Sequence, residues 1–492
     1  MRDLLKISVI FCLFPVVVLM FSCEKESRVT DPVIATVGNR NIDWKLLQRS
    51  FELDPQWKKD LSYQQAYLKQ LTYLVDEKLF AQAAQASGLL DDPKLAGYLK
   101  FIEEKELVKE LYRQEVAARV EISEQEYQDA YQKLKKQVKF EYIQSSSLED
   151  AQRYAAEWAA KPLDQIQLLE PEKDFKGTTP MIDFGELRPV LEDKVFNLPP
   201  GKVSPPIPID QGFMVVKVVD GRTDLFMSEL DLAEKKNKIQ KVVFDRKAGV
   251  VSNAYIKELM SDKDLTLNPE VFYALSREFS RVIKNKLSDE PLPIFLTDQE
   301  LAQTEQDLTD LLPQTLITFR DGAMTVAEFL RELSYMPPNL RPNLKMAPQL
   351  KDAIGVVVRN KYLAREARDK NLDKNEQVRW EIKVQSDEIA ARYFLQKRSE
   401  QLFITPEEIL AFKQSENYQK YQNLAKEEPA DEKVGNLLLV QKMSQQKNIL
   451  SDSLKQHYIV KIDTIKLSAQ LKNADELIQH NPIPMVVREL YH

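Results

Sequence analysis

Histidine, cysteine and glycine are all scarce in this chain of 492 residues, which holds 3 His, 2 Cys and 12 Gly. The histidines fall at 457, 480 and 492. Everything before them lacks an imidazole for acid–base catalysis or for a histidine-ligated metal. Cysteines occur only at 12 and 23, so no intrachain disulfide can form in the body of the protein. No Ser/His/Asp set can be assembled, and no Gly-rich phosphate loop, paired zinc-ligand spacing or calcium loop occurs. Neither a metal nor a cofactor is expected. Positive charge is not in excess either: 69 Lys and Arg face 76 Asp and Glu, a net charge of -7 that disfavours nucleic acid as a partner. What the chain does have is length and helix-forming residues. It exceeds the roughly 250–300 residues at which one core stops growing, so several mostly helical domains are expected.

At the N-terminus, Arg2 and Lys6 precede an uncharged apolar run from Ile7 to Phe21, which stops at Ser22-Cys23 before Glu24-Lys25-Glu26. This is the layout of a secretory signal. Fifteen residues at about 1.5 Å rise span about 22 Å, short of the hydrocarbon thickness of a bilayer. The small residue before Cys23 resembles a bacterial lipoprotein processing site. That resemblance implies a signal peptide over residues 1–22, with Cys23 acylated and attached to a membrane; a signal cut elsewhere, with Cys23 incidental, is the alternative.

The remainder repeats itself. Residues 34–47 pair with 316–329 at an offset of 282, each reading as an apolar hairpin followed by a helix. The turns fall at Gly38-Asn39 and Asp321-Gly322, and the helices are capped by Asp43 and by Thr325 with Glu328. The helix around Lys78 pairs with the helix around Lys361, and the capping box Ser123–Glu126 pairs with Thr405–Glu408. Farther on, Lys247, Leu259 and the strand-like Leu265–Leu267 match Lys442, Leu454 and Val460–Ile462 at an offset of only 195. The first repeat therefore holds an insert of 87 residues that the second lacks. The expected organisation is a helical unit at 23–137, an α+β insert at 138–226 and a returning helix at 227–284. A connection at 285–315, a second helical unit at 316–467 and an extended tail at 468–492 follow.

The insert opens on the alternating strand Val138–Ile143 and continues through an amphipathic helix at 148–160. It closes on Val215–Val219, a β-branched run that reads as a buried strand. Gly177, Gly185, Leu187, Pro189, Glu192, Phe196, Leu198, Gly201, Val203, Ser204, Pro206, Gly212 and the Val215–Val218 strand resemble the C-terminal half of a parvulin prolyl isomerase. The flanking helical unit is similar to the chaperone core of SurA/PrsA-type periplasmic foldases. Together they imply a mostly α fold with one small α+β domain, built as two SurA-like helical units of which the first carries a parvulin-like insert.

The resemblance also implies a site. Parvulins place two facing histidines beside an apolar proline cup, and the matching positions here are Tyr142 and Met214. Leu187, Leu191, Phe196 and Met214 would line the cup. The expectation is a membrane-anchored periplasmic folding factor, more readily at the outer than the inner membrane, that binds unfolded or nascent envelope proteins. Its parvulin site would be inactive. Two alternatives stand beside it: an active peptidyl-prolyl isomerase, since desolvation alone supplies part of the effect, and a scaffold lipoprotein of an envelope assembly.

Overall fold

In the computed structural model, which describes residues 31–53, 62–210, 212–223, 229–286, 295–342, 344, 347–418 and 431–480, most of the chain is helical and the strands form three small sheets. The signal segment, Cys23, Pro291, Pro293, Pro482 and Pro484 lie outside the described residues.

In chain order the first repeat comprises β1 (Val33–Val37), β2 (Arg40–Asp43), α1 (Trp44–Leu53), α2 (Tyr63–Ala86), α3 (Pro93–Glu115) and α4 (Glu124–Leu134). An α+β insert then follows: β3 (Lys136–Ser145), α5 (Leu148–Ala160), β4 (Phe175–Thr178), α6 (Pro189–Asn197), β5 (Ile207–Ile209) and β6 (Gly212–Thr223). The repeat closes with α7 (Glu229–Met260), β7 (Thr266–Leu267) and α8 (Pro269–Lys286). After α9 (Asp298–Asp307), the second repeat runs β8 (Thr315–Phe319), β9 (Gly322–Thr325), α10 (Val326–Ser334), α11 (Ala347–Asp369), α12 (Glu376–Ser399), α13 (Pro406–Lys413), α14 (Asp431–His457), β10 (Val460–Ile462) and α15 (Thr464–His480).

Local chemistry recurs with the repeat. Ser123 and Thr405 each close a full capping box, with Glu126 and Glu408 reaching back to the cap. A left-handed residue enters the turn before α3 and before α12: Gly88 at φ 74° in one, Asn371 at φ 60° in the other. These are the two residue types that tolerate that conformation most readily. Lys247 donates to the Glu121 carbonyl and, at 2.8 Å, to the Glu126 carboxylate. Lys442 does the same to the Phe403 carbonyl at 3.0 Å and to Glu408 at 2.9 Å. The hydrogen bond from Lys247 holds the Glu126 carboxyl down at about 2.

The compact units do not coincide with the repeats. One unit joins Met1–Leu95 to Val384–His492, the other is Ala96–Lys383, and the boundaries fall inside α3 and α12. In the first unit β1 pairs antiparallel with β2 on one side and with β10 on the other, through Thr36↔Lys461 and Val37↔Val460. In the second unit β8 pairs with β9 and with β7, through Thr266↔Thr318 and Leu267↔Ile317. Each hairpin is thus closed by the strand of the other repeat. Its core follows the same rule: Phe80, Ala81 and Ala84 of α2 pack on Ala390, Ala391 and Phe394 of α12, while Leu107 and Leu111 of α3 pack on Leu363 and Ala367 of α11.

Three local features differ from expectation. The second hairpin turns on Arg320-Asp321, with Gly322 already paired to Phe319. Within 285–315, Thr297 and Glu300 form a capping box that starts α9. The tail is helical as far as His480, because Asp463 caps α15 through the Lys466 amide at 3.0 Å and Leu467 and Leu471, four apart, are buried.

Buried charge ties the first unit together. Asp387 of α12 accepts from Arg40 Nε of β2 at 2.9 Å and from Lys78 Nζ of α2 at 3.1 Å. Lys78 also donates to Glu77 at 3.0 Å, a carboxyl whose pKa burial pushes up. Asp387→Ala leaves two buried cations without their common anion, and it should cost about 3–5 kcal/mol. Urea unfolding followed by hydrogen exchange at α2 and α12 reads that loss; unchanged protection would show that the cluster does not hold the unit.

Candidate functional site

The α+β insert is a four-stranded antiparallel sheet in the order β4-β3-β6-β5. Its central strand β6 is apolar on both sides: Val215 faces Ile143 and the α5 residues Tyr154 and Trp158, and Val216 lies with Phe140 and α6 on the other side. This double burial is why the run is β-branched without alternation.

All five residues expected at the cup, Tyr142, Leu187, Leu191, Phe196 and Met214, fall in one apolar cluster on the α6 side. Strand parity puts them there. Tyr142 pairs with Val216 and Gln144 pairs with Met214, so the tyrosine and the methionine lie diagonally on one face. The five do not share one role. Leu191 and Phe196 are buried, whereas Tyr142, Leu187 and Met214 are half-buried. Tyr142 lies across Gly177 of the edge strand, where a Cβ would stand 2.9 Å from the tyrosine Oη. No imidazole is present between residues 122 and 226.

A polar anchor supports this face. Glu192, on the inner side of α6, is fully buried, and its carboxylate takes both arms of the Arg246 guanidinium, Oε1 at 2.8 Å and Oε2 at 2.9 Å. The Gly185 amide donates to Glu192 Oε2 at 2.7 Å, and Arg246 also donates to the Leu187 carbonyl at 3.1 Å. The guanidinium stacks 5.2 Å from the buried ring of Phe184. Gly185 sits at φ +96° with a Cβ position 2.8 Å from Val242 of α7, so only glycine fits there. Arg246 was not among the expected site residues, although an acid at 192 between buried Leu191 and Val195 is the signal that a cation must meet it. Beside the cluster, Tyr127, Tyr131, Lys236 and Gln240 line a cleft of about 530 Å³ between α4 and α7.

Arg246→Ala leaves Glu192 as an unpaired buried carboxylate and should destabilise the insert by about 3–5 kcal/mol. A urea titration of Trp158 fluorescence measures this, and a cost below about 1 kcal/mol would show that the pair is not the anchor.

Residues 122–226 match the family described as "PPIC-type PPIASE domain". Among solved structures, the chain is similar to the peptidylprolyl isomerase PrsA from Bacillus anthracis, at 16% identity over 38% of this chain and 96% of that one, with a TM-score of 0.21. It is also similar to a Campylobacter jejuni structure described under PEB4 and Cj1289, two SurA-like chaperones, at 17% identity over 47% and 97% with a TM-score of 0.22. The foldase PrsA from Streptococcus pneumoniae is similar at 16% identity over 45% and 90%, with a TM-score of 0.20. No curated protein is matched by the chain.

Proposed function

We propose that this chain, whose residues 122–226 carry a PPIC-type peptidyl-prolyl isomerase domain, is a folding factor of the cell envelope that holds unfolded segments without isomerising proline. One observation carries the reading: the α6 face keeps apolar side chains at Leu187, Leu191, Phe196 and Met214, while the polar partners expected beside it are Tyr142 and a thioether. Lowering the X-Pro barrier of about 18–20 kcal/mol requires groups that act more strongly on the twisted amide than on the planar one. Apolar contact supplies binding and, through desolvation, only a small part of that lowering. The Tyr142 hydroxyl, laid across Gly177, is directed at the sheet edge.

The full chain should suppress aggregation of a chemically unfolded protein while leaving the isomerisation rate of a short proline peptide at its spontaneous value. The double variant Leu187→Asp with Met214→Asp should lose at least half of that suppression. Peptide turnover that disappears in the double variant would instead make the domain an active isomerase.

The resemblance around Cys23 supports a lipid anchor, hence a periplasm-facing position, with the outer membrane preferred. Metabolic labelling with an azide-bearing fatty acid should mark the full chain and spare Cys23→Ala. Equal labelling of both would remove the anchor.

A further inference from the structure

The two closing strands occupy equivalent places, 195 residues apart, yet their free edges are built differently. Each lies at the edge of its three-stranded sheet. In the first unit Ile459 O accepts from the Gly38 amide at 2.9 Å and the Asp463 amide donates to Ile34 O at 2.8 Å. With Thr36 opposite Lys461, this register turns the backbones of 459, 461 and 463 toward β1 and those of Val460 and Ile462 away from it. In the second unit the Asn268 amide donates to Leu316 O at 3.0 Å, so the backbones of 265 and 267 face outward in the same way.

The residues flanking the β7 edge are Asp264, held by Arg320 at 3.5 Å, and Glu270. Charge beside an open edge is the ordinary protection against pairing with a foreign strand. At the matching places β10 has Ile459 and Ile465, exposed at 70% and 83%, with Ile462 on the strand itself at 46%. Among the described residues, one edge is flanked by two acids beside exposed Leu265, and the other by two exposed isoleucines beside Lys461 of the strand itself.

We propose that the β10 edge receives an extended apolar segment of an unfolded polypeptide as an added strand, with Val460 and Ile462 supplying the main-chain pairing and Ile459, Ile462 and Ile465 the apolar contact. The proposal rests on the foldase reading and gives it a second docking place outside the α6 face. The occupant follows from the chemistry and the size. Outward N–H and C=O groups alternating along an edge are matched by another strand. Two such residues are too few for the roughly 1,200–2,000 Å² that a stable interface between folded copies buries, whereas a flexible segment needs no more than a short landing place.

The test uses the full chain and a fluorescein-labelled ten-residue peptide of alternating Val and Thr, beside the same peptide methylated at alternate backbone nitrogens. The plain peptide should bind, and the methylated one, which lacks the donors, should bind at least tenfold more weakly. The variant Ile459→Asp with Ile465→Glu, which copies the guard of β7, should weaken binding at least tenfold with unchanged circular dichroism. Ile462→Pro, which removes an outward amide together with the Ile462 side chain, should do the same. No binding to the unaltered chain, equal binding of the methylated peptide, or full affinity in the folded guard variant would overturn the proposal. So would a concentration-dependent dimer that the guard variant abolishes, since the occupant would then be a second copy. Aggregation suppression separates the two readings: if it survives in the guard variant while peptide binding is unaffected, the edge is wrong and the foldase reading stands. If the unaltered chain shows no suppression, the foldase reading itself fails.

Discussion

Asp387 is the point on which the first unit depends. Its carboxylate is nearly enclosed, and an enclosed anion is tolerated only where cations come to it with good geometry. Those cations are Arg40 and Lys78, more than 300 residues earlier in the chain. They fix β2 and α2 of the first repeat against α12 of the second, in the same unit in which β1 pairs with β10. The second unit has a looser and more exposed counterpart. Lys361 of α11 pairs with Glu332 at 3.2 Å and lies within electrostatic reach of Glu104 of α3, a carboxyl that burial pushes up. Glu104 stands 283 residues before Asp387, at the equivalent place in the opposite repeat. Exchange of the closing strands is a property of both units.

The insert is accommodated because its ends are neighbours. Its first and last strands, β3 and β6, pair from Lys136↔Thr223 onward, so a whole domain enters and leaves the helical frame at one spot. The frame on either side is closed independently, by Lys247 on Glu126. The second repeat makes the same contact between Lys442 and Glu408 without any insert between α13 and α14 in sheet form among the described residues. Glu192 and Arg246 then fasten the insert to α7, so the apolar face that includes Leu187 is set against a fixed helix instead of swinging on two linkers.

What was legible in the sequence was local. The capping boxes at 123 and 405, the limits of α5, the run of β6 and the repeat itself all depend on residues a few positions apart, and the structure has each of them, with the run buried as far as Val218 and Val219 exposed. The convergence of Tyr142, Leu187, Leu191, Phe196 and Met214 was legible too, through resemblance and strand parity. The exchange was not, because both hairpins and both closing strands carry the same short apolar pattern. The short apolar pattern of β10 does not by itself name Ala35 rather than Ile317 as its neighbour. Leucine and phenylalanine at the cup were likewise indistinguishable in sequence, yet Phe196 is buried and Leu187 half-buried, since depth is set by where α6 crosses the sheet. The helix α15 is encoded by its Asp463 cap and by the Leu467/Leu471 spacing, upstream of the prolines at 482 and 484.

Holding and isomerising place opposite demands on a site. An isomerase must bind the twisted amide better than the planar one, which requires polar groups whose own desolvation is compensated. A holder must bind many planar segments weakly and let them go. On the proposed reading the α6 face serves the second demand: half-buried Leu187 and Met214 beside buried Leu191 and Phe196 offer apolar area without a directional polar contact to any one sequence. At about 25 cal/mol per Å² of apolar surface, and against the entropy of ordering a chain, a small apolar surface of this kind would give modest affinity. The absence of imidazole between 122 and 226 is then consistent with the rest of the face, because adding directional polar groups would narrow the range of segments it accepts.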